Sequence, residues 1–349
     1  MDLEGKQMIN ILELKDVNVS FAVESSNLHI LRDVSLQVPR GSFLCIVGES
    51  GCGKSVTAQA IVQLLPDNGR VDSGSIKYFE DGKTTELNEL EKFGTQMRSF
   101  RGAKIGMIFQ DTLSSLNPAH RVGRQVAETL RQHLKLSKDE AKVRVIELFR
   151  KLGIPDPERR YNAYPHEFSG GMRQRVMIAI ATICEPDLVI ADEPTTALDV
   201  TIQAQIMTLL KNLQKSAGKS FILITHNMAL VSEVADHVAV MYLGRVVEYG
   251  SVNQVLRSPR HPYTQALLQS VPSLEADKKI ELKTVDGQTP SPADVTTGCE
   301  FAERCIYAIE TCKNQLIPFL TFEGNHQVRC NRIDENGNLP KPNKVGINV

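Results

Sequence analysis

The chain has 349 residues, enough for about two domains that each bury a core. Its 40 lysines and arginines against 41 aspartates and glutamates leave a formal net charge of −1, so no overall field draws it to nucleic acid or an anionic membrane. Residues Met1–Glu4 lack the basic start of a secretion signal, and no apolar run approaches the ~18 residues of a membrane span. We therefore expect a cytoplasmic chain with no nucleic-acid partner.

The first elements along the chain predict a parallel α/β sheet. Alternating apolar residues from Leu12 to Phe21 predict a half-buried strand, and Ser35–Val38 a second, short one. The almost wholly apolar run Phe43–Val47 predicts a buried strand, which a glycine-rich turn connects to a helix over Lys54–Leu65. Strand, loop and helix in this order are typical of the opening of such a sheet.

The glycine-rich turn fits the phosphate-loop pattern G-x-x-x-x-G-K-[ST], in the required place between a strand and a helix. Its backbone N–H groups can point at phosphate oxygens, with the positive end of the helix behind them. Lys54 is predicted to meet the β and γ phosphates, and the Ser55 hydroxyl to take one Mg²⁺ position. The predicted nucleotide-binding residues here are Gly48, Glu49, Ser50, Gly51, Cys52, Gly53, Lys54, Ser55 and Val56.

Cys52 lies within this loop, near the N-terminus of the predicted helix. That environment lowers the pKa of a thiol. One hypothesis is that a maleimide blocks ATP binding at Cys52 and that ATP protects the thiol. The alternative is that Cys52 is only a small spacer in the loop.

Residues 111–187 are predicted to form a mostly helical insertion. Its helices are expected over Arg124–Leu134, Lys138–Leu152 and Gly171–Cys184. Further along, residues 238–250 are predicted to return to short strands around a glycine turn.

Two more buried strands follow the insertion, at Asp187–Ala191 and Ser220–Thr225. Polar residues come directly after them, and ligands of parallel sheets gather at the carboxyl ends of strands. We expect Asp192 to hold Mg²⁺ through water. Glu193 is expected to be the general base for the attacking water, a role worth about 10²–10⁴ in rate, and His226 marks the end of the second strand.

Residues 168–175, FSGGMRQR, resemble the signature of the ATP-binding cassette (ABC) family, which usually contains Leu-Ser-Gly-Gly-Gln. Ser169 is predicted to cap the helix that starts at Gly170, so that free N–H groups face an anion. Met172 and Phe168 depart from the usual glutamine and leucine. Neither change removes the Ser169 hydroxyl or the glycine N–H groups.

The resemblance implies an α/β P-loop NTPase cassette, with a mixed sheet around the phosphate-loop helix, additional antiparallel strands and a helical subdomain. The ATP-binding core is expected at residues 1–110 and 188–258, and the helical signature subdomain at 111–187. A small Cys-rich C-terminal extension is expected at 259–332, and a disordered tail at 333–349.

Further site residues follow from the family pattern. Gln110 matches the glutamine that links Mg²⁺ to the helical subdomain, and His226 the histidine that contacts the γ-phosphate. Asp199, in Thr-Ala-Leu-Asp at 196–199, matches the loop that crosses to a second cassette. Phe21 is expected to stack on adenine.

The family resemblance also implies an assembly. Two cassettes, identical or merely similar, are expected to face head to tail, with each nucleotide between one phosphate loop and the other chain's Ser169, Gly170 and Gly171. Two membrane-spanning permease subunits and, indirectly, a periplasmic or extracellular solute-binding protein complete it, at the cytoplasmic face of the membrane. The loops at 116–118 and 164–167 are expected to dock the permeases.

Four cysteines lie close together near the C-terminus, beyond the proline-punctuated linker Thr289–Pro292. They are Cys299, Cys305, Cys312 and Cys330, spaced C-x5-C-x6-C-x17-C. Spacing and ligand type leave zinc, an iron–sulfur cluster and free thiols all open.

The surrounding sequence resembles the C-terminal extension of oligopeptide and dipeptide importer ATPases. The similarity rests on His-Pro-Tyr-Thr at 261–264, Gly-Cys-Glu-Phe at 298–301 and Arg-Cys at 304–305. Several members of that group carry a [4Fe–4S] cluster, so we expect one on the four cysteines, with Zn²⁺ as the alternative.

These resemblances imply an ATP-hydrolysing motor subunit, using ATP and Mg²⁺, of a bacterial importer of di- and oligopeptides. A nickel or other small-solute importer of the same group is the alternative. An ABC ATPase acting on nucleic acid or the ribosome would be expected to carry coiled coils, tandem cassettes or basic arms, none of which the sequence suggests. A non-hydrolysing regulatory cassette would be expected to lack Glu193 or His226.

Overall fold

The computed structural model describes residues 9–24, 26–110, 115–196, 198–270, 287–294 and 297–342. Its strands are β1 (Asn10–Val23), β2 (Ser26–Pro39), β3 (Phe43–Val47), β4 (Gly69–Glu80), β5 (Lys83–Glu86), β6 (Ile105–Ile108), β7 (Leu188–Asp192), β8 (Ser220–Ile224), β9 (His237–Tyr242), β10 (Arg245–Ser251), β11 (Leu320–Phe322) and β12 (His326–Val328). Its α-helices are α1 (Lys54–Ile61), α2 (Thr95–Phe100), α3 (Val122–His133), α4 (Lys138–Lys151), α5 (Pro157–Arg160), α6 (Gly170–Thr182), α7 (Val200–Ala217), α8 (Met228–Val234), α9 (Val252–Arg257), α10 (Pro262–Gln269) and α11 (Glu310–Asn314).

The larger sheet, within the described ranges, has the strand order β11-β12-β10-β9-β3-β8-β7-β6. Strand β3 pairs in parallel with β8 and β9, and β7 pairs in parallel with β6 and β8. Every residue of β3, β7 and β8 is buried, as their apolar runs predict for strands covered on both faces. Because these strands are parallel, their carboxyl ends meet at one edge of the sheet.

The smaller sheet is antiparallel, with the strand order β2-β1-β4-β5. Strand β2 begins at Ser26, earlier than the predicted Ser35, because it pairs with β1 along almost its whole length. The sequence did not predict β4 or β5. Their residues are mostly half-exposed or exposed, so they lack an apolar pattern and depend on pairing with β1.

The described residues between β6 and β7 form helices and turns. Helix α4 begins with a capping box, in which Ser137 and Glu140 satisfy each other's backbone N–H groups. Helix α7 was not predicted, although Asp199 caps its N-terminus in the ordinary way. One hydrophobic core joins these helices to the larger sheet, where Phe43 stacks on Phe221 with ring centroids 5.1 Å apart.

The chain beyond β10 returns to the larger sheet through β12, which pairs with β10 at Glu248 and Tyr249. Of the expected tail, residues 333–342 are described. Ile333 is buried. In the turn that follows, the Asp334 carboxylate accepts hydrogen bonds from the backbone N–H groups of Asn336 and Asn338. Residues 343–349, like Met1–Glu4, lie outside the described residues. No helix in the described ranges has both the length and the apolar character needed to cross a bilayer.

Candidate functional site

The phosphate loop joins β3 to α1 and requires glycine at two crowded positions. Gly48 has φ 152°, and a Cβ there would lie 2.2 Å from the Met241 carbonyl oxygen. Gly53 has φ 101°, and a Cβ there would lie 2.7 Å from a methyl carbon of Leu31. Left-handed backbone and close approach both exclude larger residues, so the loop curls tightly over the end of β3.

Lys54 is the first residue of α1, and its ammonium group turns back into the loop. Its Nζ donates to the carbonyl oxygens of Gly48 and Glu49, both at 2.9 Å. The side chain is largely buried, with 6% of the residue exposed. The loop therefore holds a positive charge at its centre, where an anion would be attracted.

Ser55 and Asp192 bring two oxygen ligands together. The Ser55 hydroxyl donates to Asp192 Oδ1 at 3.0 Å, linking α1 to the end of β7. Burial raises the pKa of Asp192, and the nearby Glu193 raises it further, against the lowering effects of Ser55 and Lys54. A hydroxyl and a carboxylate are the hard donors that Mg²⁺ prefers, so these residues fit that ion.

Glu193 follows β7 directly and lies at the centre of a hydrogen-bond cluster. Its Oε2 accepts from Gln110 Nε2 at 3.0 Å and from Thr196 Oγ1 at 2.9 Å. Its Oε1 lies 3.2 Å from His226 Nδ1 at the end of β8. Glu193 also has φ 46°, a strained conformation for a residue with a side chain. The carboxylate is thus held in one orientation by residues from three strand ends.

A cleft of about 510 Å³ opens in front of these groups, within the size range of small-molecule sites. Apolar side chains from the smaller sheet, including the predicted Phe21, form one wall, and the phosphate loop forms the other. The lining residues are Phe21, Val23, Leu28, Ile30, Ser50, Gly51, Gly53, Lys54, Ser55, Val56, Asn68, Gln110 and Glu193.

The signature residues lie elsewhere on the chain. Ser169 caps α6, its Oγ accepting from the Met172 N–H at 3.4 Å, and Gly170 is exposed beside it. Gly171 packs close to Ile202, where a Cβ would come within 3.0 Å. Asp199 caps α7 through the Ile202 N–H at 2.9 Å. None of these predicted residues lines the cleft, so the structure does not bring them to the phosphate loop of the same chain.

Cys52 differs from the reactive thiol that its position suggested. The residue is 1% exposed, and its burial raises the pKa of the thiol despite the nearby Lys54. Burial outweighs the helix N-terminus because a thiolate loses its hydration in the interior. The expectation of a low pKa is wrong, and the structure favours the alternative that Cys52 fills space beneath the loop.

Glu49 has contacts that the sequence did not predict. Its N–H donates to the Tyr263 hydroxyl at 2.9 Å, and its carboxylate accepts from Arg304 at 2.8 and 3.1 Å and from Thr289 at 2.5 Å. Glu49 thus faces away from the cleft, towards the C-terminal extension. A separation of 255 residues between Glu49 and Arg304 leaves no local signal for this pairing.

The four C-terminal cysteines line one small cavity of about 10 Å³, together with His261 and Phe301. Burial raises the pKa of Cys299 well above its usual range and that of Cys305 to about 11, and it also raises the pKa of Cys330. The Cys312 thiol donates to Asn331 Oδ1 at 3.2 Å. Cys312 and Cys330 are buried, and Cys299 and Cys305 are partly buried.

The expected iron–sulfur cluster on Cys299, Cys305, Cys312 and Cys330 is wrong, because the described residues contain no group of side chains that could hold a metal. Across the part of the chain that the structure describes, no three or more His, Cys, Asp or Glu side chains form a group that could hold a metal ion, and this removes the zinc alternative as well. The number and spacing of cysteines could not reveal how deeply each thiol is buried.

Comparison with known families gives two matches along the chain. Residues 31–196 match the family described as ABC transporter. Residues 247–312 match the C-terminal region of oligopeptide/dipeptide transporters. The first match contains the phosphate loop and Glu193, and the second contains Tyr263 and Arg304.

Individual relatives are similar over almost the whole length. The oligopeptide transport ATP-binding protein OppD of Bacillus subtilis (strain 168) is 47% identical over 324 residues, 93% of this chain and 89% of the relative. The dipeptide transport ATP-binding protein DppD of Haemophilus influenzae is 47% identical over 329 residues, 94% of this chain and 97% of the relative. The solved dimer of the ATP-binding cassette MJ0796, bound to ADP and Pi, superposes with a TM-score of 0.61 at 28% identity, covering 69% of this chain and 98% of that one.

Proposed function

The chain belongs to the ABC transporter family, and from this premise we propose that it is the ATP-hydrolysing motor subunit of a bacterial importer of di- and oligopeptides. The observation that carries the proposal is the meeting of Lys54, the Ser55–Asp192 pair and Glu193 at one edge of the larger sheet. That edge opens into a cleft of a size that suits a nucleotide.

We propose that ATP lies in this cleft with its base against Phe21 and its phosphates on the loop. Binding would draw the Lys54 ammonium from its carbonyl partners towards the β and γ phosphates, where its positive charge would offset their negative charge. The backbone N–H groups after Ser50 and the N-terminus of α1 would receive the phosphate oxygens. Ser55, Gln110 and Asp192 would hold Mg²⁺, which supplies charge neutralisation on the phosphates.

Glu193 is our candidate for the general base. Its carboxylate accepts hydrogen bonds from Gln110 and Thr196, which fix one oxygen and leave the other directed to His226. A water molecule between the carboxylate and the γ-phosphate would lose its proton to Glu193 as its oxygen attacks the γ-phosphorus. The bond from that phosphorus to the bridging oxygen would break, and ADP would leave. His226, whose side chain is 65% exposed, would contact the γ-phosphate from the neighbouring strand end.

The second half of each site is proposed to come from another cassette. Ser169, Gly170 and Gly171 begin α6 on an exposed surface, with N–H groups available for an anion. In a head-to-tail pair with a second copy or a similar chain, they would cover the nucleotide of the partner, and Asp199 would lie at the crossing. Loss of phosphate after hydrolysis would then remove the charges that keep the pair closed.

The remaining partners are two permease subunits in the membrane, supplied with cargo by a solute-binding protein. We propose that the cassette sits at the cytoplasmic face of that membrane. The exposed Asn117 and Pro118, which follow the Gln110 strand end, and the exposed His166, which precedes the signature, are the proposed contacts for the permeases. Through these contacts, a movement of the helical region on nucleotide binding or hydrolysis would be passed to the permease subunits.

Uptake measurements in a strain that lacks this chain test the proposal. Restoring the wild-type chain is expected to restore uptake of a radiolabelled oligopeptide, and the Lys54→Ala chain is expected to fail at equal expression. Uptake of ⁶³Ni²⁺ in the same strains is the comparison. Restoration of nickel uptake with no change in peptide uptake would replace peptide by nickel as the cargo.

A further inference from the structure

We propose that Arg304 is a positioning residue for the nucleotide site. Through Glu49 of the phosphate loop, it couples the packing of the C-terminal extension against the ATP-binding core (the seated extension) to nucleotide affinity. The inference rests on the proposed function, because it concerns the same cleft. It assigns to the extension, residues 259–332, a direct role at the loop that binds phosphate.

The contact between Arg304 and Glu49 is a bidentate ion pair. Arg304 Nη1 donates to Glu49 Oε2 at 2.8 Å, and Nη2 donates to Oε1 at 3.1 Å. Thr289, also from the extension, donates its hydroxyl to Oε2 at 2.5 Å. Both carboxylate oxygens are therefore occupied by residues that lie at least 240 positions away in the sequence.

The Arg304–Glu49 pair is better enclosed than a surface salt bridge. The Arg304 side chain is 6% exposed and that of Glu49 is 24% exposed. Burial alone would raise the pKa of Glu49, but the hydrogen bonds from Arg304 and Thr289 outweigh it, and the pKa lies below its usual value. Two parallel charge-assisted bonds also fix the orientation of the carboxylate. The extension thus holds Glu49 in one place.

The backbone of Glu49 transmits this constraint to the phosphate site. Its N–H donates to the Tyr263 hydroxyl at 2.9 Å, so α10 holds the same residue from a second direction. Its carbonyl oxygen accepts from Lys54 Nζ at 2.9 Å and from the Cys52 N–H at 3.4 Å. A shift of Glu49 would therefore move an anchor of the lysine that meets the phosphates.

The extension has other attachments that do not involve the loop. Glu300 forms an ion pair with Arg245 at 2.8 Å, and both side chains are at most 10% exposed. Arg32 donates to the Pro292 carbonyl at 2.8 Å. Because these contacts keep the extension on the smaller sheet and β10, loss of the Arg304–Glu49 ion pair alone is expected to leave the fold intact. Arg304 also donates to the Tyr242 hydroxyl at 3.2 Å, and Glu49→Gln leaves that bond in place.

Coupling of this kind is reciprocal by linkage. If the seated extension raises the affinity of the loop for nucleotide, bound nucleotide must stabilise the seated extension by the same factor. Two separately measured quantities should therefore change together. They are the dissociation constant of Mg-AMP-PNP and the hydrogen-exchange rate of residues 297–305.

The experiment uses the full-length chain and compares Arg304→Gln, Arg304→Lys and Glu49→Gln with wild type. Arg332→Gln is the matched control, since Arg332 donates to the Tyr307 carbonyl within the extension at 3.0 Å. Arg304→Gln and Glu49→Gln are each expected to raise the dissociation constant of Mg-AMP-PNP about ten-fold, the size of one charge-assisted hydrogen bond. Arg304→Lys keeps the charge and should lose less. The double variant should be no weaker than either single one.

Exchange supplies the readout that a merely structural residue would not change. In wild type, Mg-AMP-PNP is expected to slow exchange of residues 297–305, and in Arg304→Gln this slowing should disappear while Arg332→Gln behaves as wild type. If Arg304→Gln unfolds, Arg304→Lys and Glu49→Gln carry the same test. The coupling is overturned if the Arg304 and Glu49 variants bind Mg-AMP-PNP as tightly as wild type. It is also overturned if wild type binds Mg-AMP-PNP but the exchange of residues 297–305 does not change. Failure of wild type to bind Mg-AMP-PNP would instead count against the proposed function.

Discussion

The replacement Glu193→Gln isolates the proposed general base. The amide has almost the same size as the carboxylate and keeps one oxygen to accept from Gln110 at 3.0 Å or Thr196 at 2.9 Å. It has no negative charge and cannot take a proton from water. Since Glu193 lies at the edge of the cleft and Lys54 and Ser55 are unchanged, ATP should still bind.

The expected loss follows from the role of a general base. Such groups contribute about 10²–10⁴ in rate, which corresponds to about 3–5 kcal/mol of the activation free energy. Single-turnover hydrolysis of ATP by the assembled transporter should fall by that factor, while the dissociation constant of MgATP stays within about two-fold. With hydrolysis blocked, the closed pair of cassettes should also persist longer.

Glu147→Gln is the matched control, because Glu147 is exposed on α4, within the helical region. It should hydrolyse ATP as wild type does. Hydrolysis by Glu193→Gln at the wild-type rate would refute the assignment of the base. A parallel loss of MgATP binding would show that the carboxylate acts in binding instead.

Three further predictions concern Asp192, His261 and Cys52. Asp192→Asn removes a carboxylate that accepts from Ser55, so ATP affinity should lose most of its Mg²⁺ dependence in binding titrations with and without the ion; an unchanged Mg²⁺ dependence would contradict the site. Burial lowers the pKa of His261 from 6.5 to about 4, so the free energy of unfolding should be constant above about pH 6.5 and fall by about 3 kcal/mol as the pH drops to about 4, because only the unfolded imidazole gains a proton there. Urea unfolding of His261→Asn should lack this component, and an identical pH profile in the variant would refute it. Cys52 should react with maleimide far more slowly in the folded chain than in urea, since the thiol is buried and its pKa is raised, and rapid labelling of the folded chain would show that the loop opens.

The site was predictable from the sequence where its chemistry lies in short segments. The phosphate loop is contiguous. Asp192 ends one apolar strand and His226 closely follows another, so the parallel pairing of these strands brings both residues to one edge of the sheet. The bounds of β3 agree with the prediction because the strand is one short, contiguous apolar run. Roles that depend on a second cassette, such as that of Ser169, stay predictions, since a single chain cannot bring them to the cleft.

Other features depended on long-range packing and could not be predicted. Strands β4 and β5 have few buried residues and are defined by their pairing with β1. The ion pair of Arg304 with Glu49 joins residues with no local relation. The low pKa expected for Cys52 failed because residue type and position do not give the burial that raises the pKa of a thiol. The cluster expected on the four cysteines failed because their number and spacing do not fix how the folded chain arranges them, and the described residues contain no metal-holding group.

Calorimetric titration of the full-length chain with Mg-AMP-PNP tests the central claim most directly. The account predicts a saturable heat with one nucleotide per chain, which Lys54→Ala reduces to baseline while the variant keeps the unfolding transition of wild type. A folded wild-type chain that gives no binding heat, or a Lys54→Ala chain that binds as tightly as wild type, would contradict it.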